Sequence, residues 1–108
     1  MKILLVENIP TKVKLDFEKN FEVTTVRDMQ WLGKKNGELL SLMVNNKFDF
    51  FITVDKNLQN QQLLEKFELS IFVLYPFNNK HQTIQTFIEK VKEIMEKNLF
   101  GKLNEIKL

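Results

Sequence analysis

Cysteine is absent from this 108-residue chain, and so is alanine. Without a thiol there is no disulfide, no thiolate metal site and no Cys nucleophile. The absence also fits a reducing compartment. The single histidine, His81, stands in a polar stretch beside Asn78 and Asn79. A catalytic triad or a His-rich metal site is therefore excluded, and exposure is the expectation for His81. Long apolar runs are missing too. The opening ILLV at residues 3–6 is far too short for a signal peptide or a membrane span, so a soluble, cytoplasmic chain is expected. Neither sign of charge dominates. The net charge is +2, the pI is about 8.8 and the lysines are spread along the chain, so charge alone makes no case for nucleic acid.

What is present is ordinary for a globular domain: 44% hydrophobic and 28% charged residues, with ten Phe to fill a core. The length suits a single domain over residues 1–108. Apolar runs alternate with helical patterns. Residues 2–6 read as a strand buried on both faces. Pro10 suits a first helical turn with Asn8 or Ile9 before it, and Ile9, Val13 and Phe17 fall on one helical face. Residues 21–26 (FEVTTV) read as a second strand. A loop carrying Trp31 follows, then a helix at 38–46, a strand at 49–54 and a polar-faced helix at 56–67. A strand at 69–75 is stopped by Pro76. Residues 83–98 form the clearest helix, striped by Ile84, Phe87, Ile88, Val91, Ile94 and Met95. The alternating tail 103–108 suits a short fifth strand.

Strands alternating with helices predict a three-layer α/β/α domain with a mainly parallel sheet of four or five strands, in the order 2-1-3-4. Winding then reverses between the first and third strands. Ligands in such sheets bind beyond the carboxyl ends of the strands at that reversal. Glu7 and Asp55 stand at those two ends. Glu38, in the first turn of the second helix, leans toward the same edge, and Asp28 follows the second strand. Converging carboxylates are what Mg²⁺ or Mn²⁺ wants, and phosphodiester cleavage uses such an ion to activate water and hold the leaving oxygen. Simpler roles are open for the same residues. Asp55 suits a helix cap, and Glu38 suits the positive end of a helix dipole.

Three stretches carry a family resemblance. LLVEN at residues 4–8 resembles a Leu-Leu-Asp-Glu start. MQWLGKKNGELL at 29–40 is similar to a Gly-Trp-x-Gly-x-Lys-Asn-Gly-Glu-Leu-Leu box. FDFFITVDKNLQNQQ at 48–62 resembles a Phe-Asp-x-x-x-Thr-x-Asp-x-Asn-Leu-x-x-Gln-Gln segment, and SIFVLYPFNN at 70–79 also fits. In this order they resemble a family of short bacterial PIN-like proteins over most of the chain. The resemblance implies a metal-dependent ribonuclease, the toxin of a toxin–antitoxin pair, with RNA as substrate and a small antitoxin-like protein as partner. Glu7, Glu38 and Asp55 would be the catalytic, metal-holding acids, with Asn36, Thr53, Asn57 and Asp28 as polar support. Lys34 and Lys35 would meet phosphate. The family's first acid falls on Val6 here, which removes one carboxylate from the metal site. Glu7 replaces it only if the strand has ended and the chain turns, because neighbours on a strand point to opposite faces.

Two rival readings come with it. One is a PIN-like scaffold that binds without cutting. The other is a receiver-like domain with Asp55 as phosphoacceptor. Against the receiver stand Tyr75, where a small hydroxyl is wanted, and the want of a fifth strand ending in Lys. Trp31 is expected to fold onto the core rather than stack on a base. Phe100 and Leu103 are candidates for a homodimer contact.

Overall fold

The computed structural model describes residues 1–56 and 68–108. Five strands form one sheet: β1 (Lys2–Leu5), β2 (Glu22–Thr25), β3 (Phe50–Thr53), β4 (Ser70–Leu74) and β5 (Leu103–Ile106). Every pairing is parallel, and the order is β2-β1-β3-β4-β5. This corrects the expected four-strand order by adding β5 beside β4. The alternating tail supplies this fifth strand, as its pattern predicted. The described helices are α1 (Asn36–Asn45), α2 (His81–Glu96) and a 3-10 segment, Thr11–Asp16. The helix expected over 56–67 lies outside the described residues apart from Lys56.

The central strands read KILL, FFIT and SIFVL, and nearly all their side chains are buried. That is the pattern of parallel strands covered on both faces. The period of two divides them into two sets. Ile3, Leu5, Phe50, Ile52, Phe72 and Leu74 pack with Ile84, Phe87, Ile88, Val91 and Met95 of α2. Leu4, Phe51, Ile71 and Val73 pack with Leu39, Leu40 and Met43 of α1. Each such side chain taken from water contributes about 1.5–3 kcal/mol. The edge strands, EVTT and LNEI, are more polar and only partly covered.

Both α-helices end the same way. Lys47, after α1, has φ 62°, and Asn98, after α2, has φ 52°. Phe48 N–H donates to Met43 O at 2.9 Å and Lys47 N–H to Val44 O at 3.0 Å. Leu99 N–H donates to Ile94 O at 3.1 Å and Asn98 N–H to Met95 O at 3.2 Å. These are Schellman closures, which satisfy carbonyls that the last helical turn leaves open.

Three local expectations change. Residues after Pro10 form a 3-10 segment rather than an α-helix, though Ile9 and Val13 are buried as their spacing implied. His81 opens α2 instead of sitting in an exposed loop, and its Nε2 lies 3.0 Å from Asp16 Oδ2. Phe100 turns inward, with its ring 5.0 Å from Phe50 and edge-on to it, and Leu103 packs against the α1-side core. Among the described residues, no helix is long and apolar enough to cross a membrane.

Candidate functional site

At the carboxyl end of β1 the chain makes one more ladder bond and then turns. Val6 N–H donates to Ile52 O at 3.0 Å, and Ile9 N–H returns to Val6 O at 3.1 Å. Glu7 and Asn8 form the turn between them. The strand has therefore ended before Glu7, the condition under which its carboxylate can enter the site. At the end of β3, the hydroxyl of buried Thr53 accepts the Asp55 N–H at 3.0 Å. This bond holds the backbone of Asp55 in a turn at the sheet rim.

Between these ends lies a cleft of about 290 Å³. Glu7, Asn36, Thr53 and Asp55 line it together with Lys34 and Val6. Asn36 Nδ2 donates a long bond, 3.5 Å, to Asp55 Oδ2. Trp31 forms an apolar wall. It is only 9% exposed and meets Phe48 edge-on at 5.9 Å, so it belongs to the core, as expected. Gly33 sits on the same wall at φ 81°, a left-handed turn that sends the chain into α1.

Other site candidates stand elsewhere. Glu38 is in the first turn of α1, but its Oε1 meets Lys34 Nζ at 3.0 Å and it does not line the cleft. Lys35 occupies the N-cap position of α1 without a side-chain capping bond and is exposed. Asp28 accepts a bond from Lys14 and another from Thr25 N–H at 3.1 Å. The Lys14 bond first, and the Thr25 amide second, hold the Asp28 carboxyl below its ordinary value. Asp28 therefore ties the end of β2 to the 3-10 segment. Asn57 lies outside the described residues.

The expected three-acid cluster is not gathered. Among the described residues, no group of three or more His, Cys, Asp or Glu side chains is placed to hold a metal ion. The cleft is lined by two acids, Glu7 and Asp55, two amides, Asn8 and Asn36, and the hydroxyl residue Thr53. A second rim cluster escaped sequence reading. Lys56, Tyr75 and Lys107 follow β3, β4 and β5, and the lysine Nζ atoms lie 5.0 Å and 4.9 Å from the Tyr75 ring centre. Its only signal in the sequence was position: Tyr75 and Lys107 directly follow β4 and β5, and Lys56 comes three residues after the end of β3.

Compared with known proteins, the chain matches no family model, no curated protein and no solved structure.

Proposed function

We propose that this α/β chain is a three-layer, PIN-like domain whose rim cleft is a metal-dependent ribonuclease site. The observation that supports this most is that Glu7 and Asp55, from turns after different strands, line one cleft where the winding of the sheet reverses. Glu7 and Asp55 would hold Mg²⁺ or Mn²⁺, and Asn36 would orient Asp55. Such an ion, when bound, activates water and stabilises the leaving oxygen of a phosphodiester. Lys34, on the cleft wall, supplies a cation for the phosphate. Thr53 fixes the backbone that presents Asp55. In this reading the substrate is RNA, and a small antitoxin-like protein is the partner.

The test is Mn²⁺-dependent cleavage of single-stranded RNA. Wild type is expected to cleave, and Asp55→Asn to lose about a hundredfold or more, the usual scale for removing electrostatic stabilisation of a transition state. Equal cleavage by both proteins would refute the assignment.

A second reading has its own support. Val6 stands where the resembling family has an acid, and Glu38 is paired with Lys34. Both features favour a PIN-like protein that binds without cutting. Here wild type would be inert, and Val6→Asp would confer Mn²⁺-dependent cleavage. The receiver-like reading gains β5 and the Lys107 that follows it, but Tyr75 still fills the hydroxyl position. A beryllofluoride adduct on Asp55 would support it.

A further inference from the structure

Asn36 and Gly37 open α1 and form the one Asn-Gly pair in the chain. In such a pair the side-chain amide is open to attack by the next backbone nitrogen, because glycine has no Cβ to obstruct the approach. The fold leaves that nitrogen outside the helix ladder. The first amides of a helix have no carbonyl four residues back within it. Here the ladder starts with Leu39 N–H donating to Lys35 O at 2.8 Å, and the N-cap residue, Lys35, makes no side-chain capping bond.

The Asn36 amide is itself loosely held. Its Nδ2 donates to Asp55 Oδ2 at 3.5 Å, the long limit of a hydrogen bond, and the residue is half-buried, so water reaches it. Turning the Asn36 backbone toward ring closure costs only bonds of the first turn. Glycine in that turn weakens its helical preference further.

We propose that Asn36 is a site of spontaneous deamidation whose product adds a third acid to the cleft. The Gly37 nitrogen gives up its proton and bonds to Asn36 Cγ. The Cγ–Nδ2 bond breaks, and ammonia leaves with a proton that replaces the one lost. Water then opens the succinimide ring at either carbonyl, which gives an aspartyl or an isoaspartyl residue. In sum, one water enters, one ammonia leaves and NH₂ becomes OH, with no oxidant, reductant or cofactor. Either product sets a carboxylate where Asn36 now faces Asp55, in the cleft that Glu7 also lines. The start of α1 favours an acid there, and Asp55 opposes it unless a cation is shared. Tighter holding of a divalent ion by three acids rests on the metal-site reading. The deamidation does not.

The experiment ages the full chain in EDTA at mildly alkaline pH and maps its peptides by mass spectrometry. Conversion at Asn36 is expected about tenfold or more faster than at Asn98, which is exposed and precedes Leu99. Gly37→Ala should slow it about tenfold while the circular dichroism of the helices is kept. Conversion at Asn36 no faster than at Asn98, or unchanged in Gly37→Ala, would overturn the proposal. Fresh Asn36→Asp should bind Mn²⁺ about tenfold more tightly than fresh wild type. Equal, measurable affinity would overturn the claim that the new acid joins the cleft. Fast conversion at Asn36 with no Mn²⁺ bound by either protein would sink the metal reading and leave the deamidation standing. Mn²⁺ bound through Asp55, with Asn36 no faster than Asn98, would do the reverse.

Discussion

Two polar clusters in this molecule look alike as residue types and differ in what their groups are doing. Where α2 meets the 3-10 segment, Asp16, His81, Gln85 and Lys92 assemble the side chains of many active sites. His81 Nε2 lies 3.0 Å from one Asp16 oxygen, and Gln85 Nε2 donates to the other at 3.0 Å. Lys92 Nζ donates to the Asp16 carbonyl at 2.7 Å and pairs with Glu18 at 3.2 Å and Glu89 at 3.3 Å. Burial opposes the Lys92 charge, yet the bonds to Glu18 and Glu89 outweigh it and raise its pKa. These groups are spent on joining two elements. The rim cleft instead takes Glu7 and Asp55 from turns after two strands and sets them at a concave switch in the sheet. Position relative to the topology, more than residue type, separates a brace from a candidate site.

The largest expected effect removes what both regions share. Phe50 packs on Phe72 at 5.9 Å and on Phe100 at 5.0 Å. Phe50→Ala should cost about 3–5 kcal/mol in denaturant titration and weaken brace and cleft together. Next, Asp16→Ala strips two hydrogen-bond acceptors from the brace and should cost about 1–3 kcal/mol. Glu7→Gln, at an exposed turn position in the cleft, should change stability by less than about 0.5 kcal/mol. If the two costs are equal, the contrast between brace and site fails.

A smaller effect is expected at the end of α1, which carries Asn36 to the cleft. Lys47 holds φ 62° with a side chain that disfavours it. Lys47→Gly should raise the unfolding free energy by about 1 kcal/mol. The smallest concerns Asp28, a brace that was expected at the site. Its folded pKa lies below the ordinary 3.8, so its stabilisation is complete above that value and is lost as pH falls through the folded pKa. The pair is partly exposed, which keeps the effect below about 1 kcal/mol. Asp28→Asn should flatten the acid limb of a stability–pH curve, and an unchanged limb would remove Asp28 from that role.

Much of this fold can be read in the sequence because its centre is simple. β1, β3 and β4 are buried on both faces, so their apolar runs are unbroken, and α2 shows a full stripe. The 3-10 segment was harder, because the spacing of Ile9, Val13 and Phe17 suits either helix type. β5 was faint because its faces are only partly covered, with Ile106 its one buried side chain, so LNEI carries no apolar run. For the cleft, topology alone pointed to Glu7 and Asp55. Glu38 stands just outside the lining of the cleft, 3.0 Å from the cleft residue Lys34, a pairing that its i,i+4 spacing makes local. The Lys56–Tyr75–Lys107 cluster depends on three strand ends meeting in register, which no local pattern announces.

The most direct test is a Mn²⁺ titration followed by the loss of the free-ion paramagnetic resonance signal, run on wild type, Glu7→Gln and Asp55→Asn. Wild type is expected to bind one ion, with affinity falling at least tenfold in each variant. An ion that binds equally well to all three, or no binding at millimolar Mn²⁺, would contradict a metal site shared by Glu7 and Asp55.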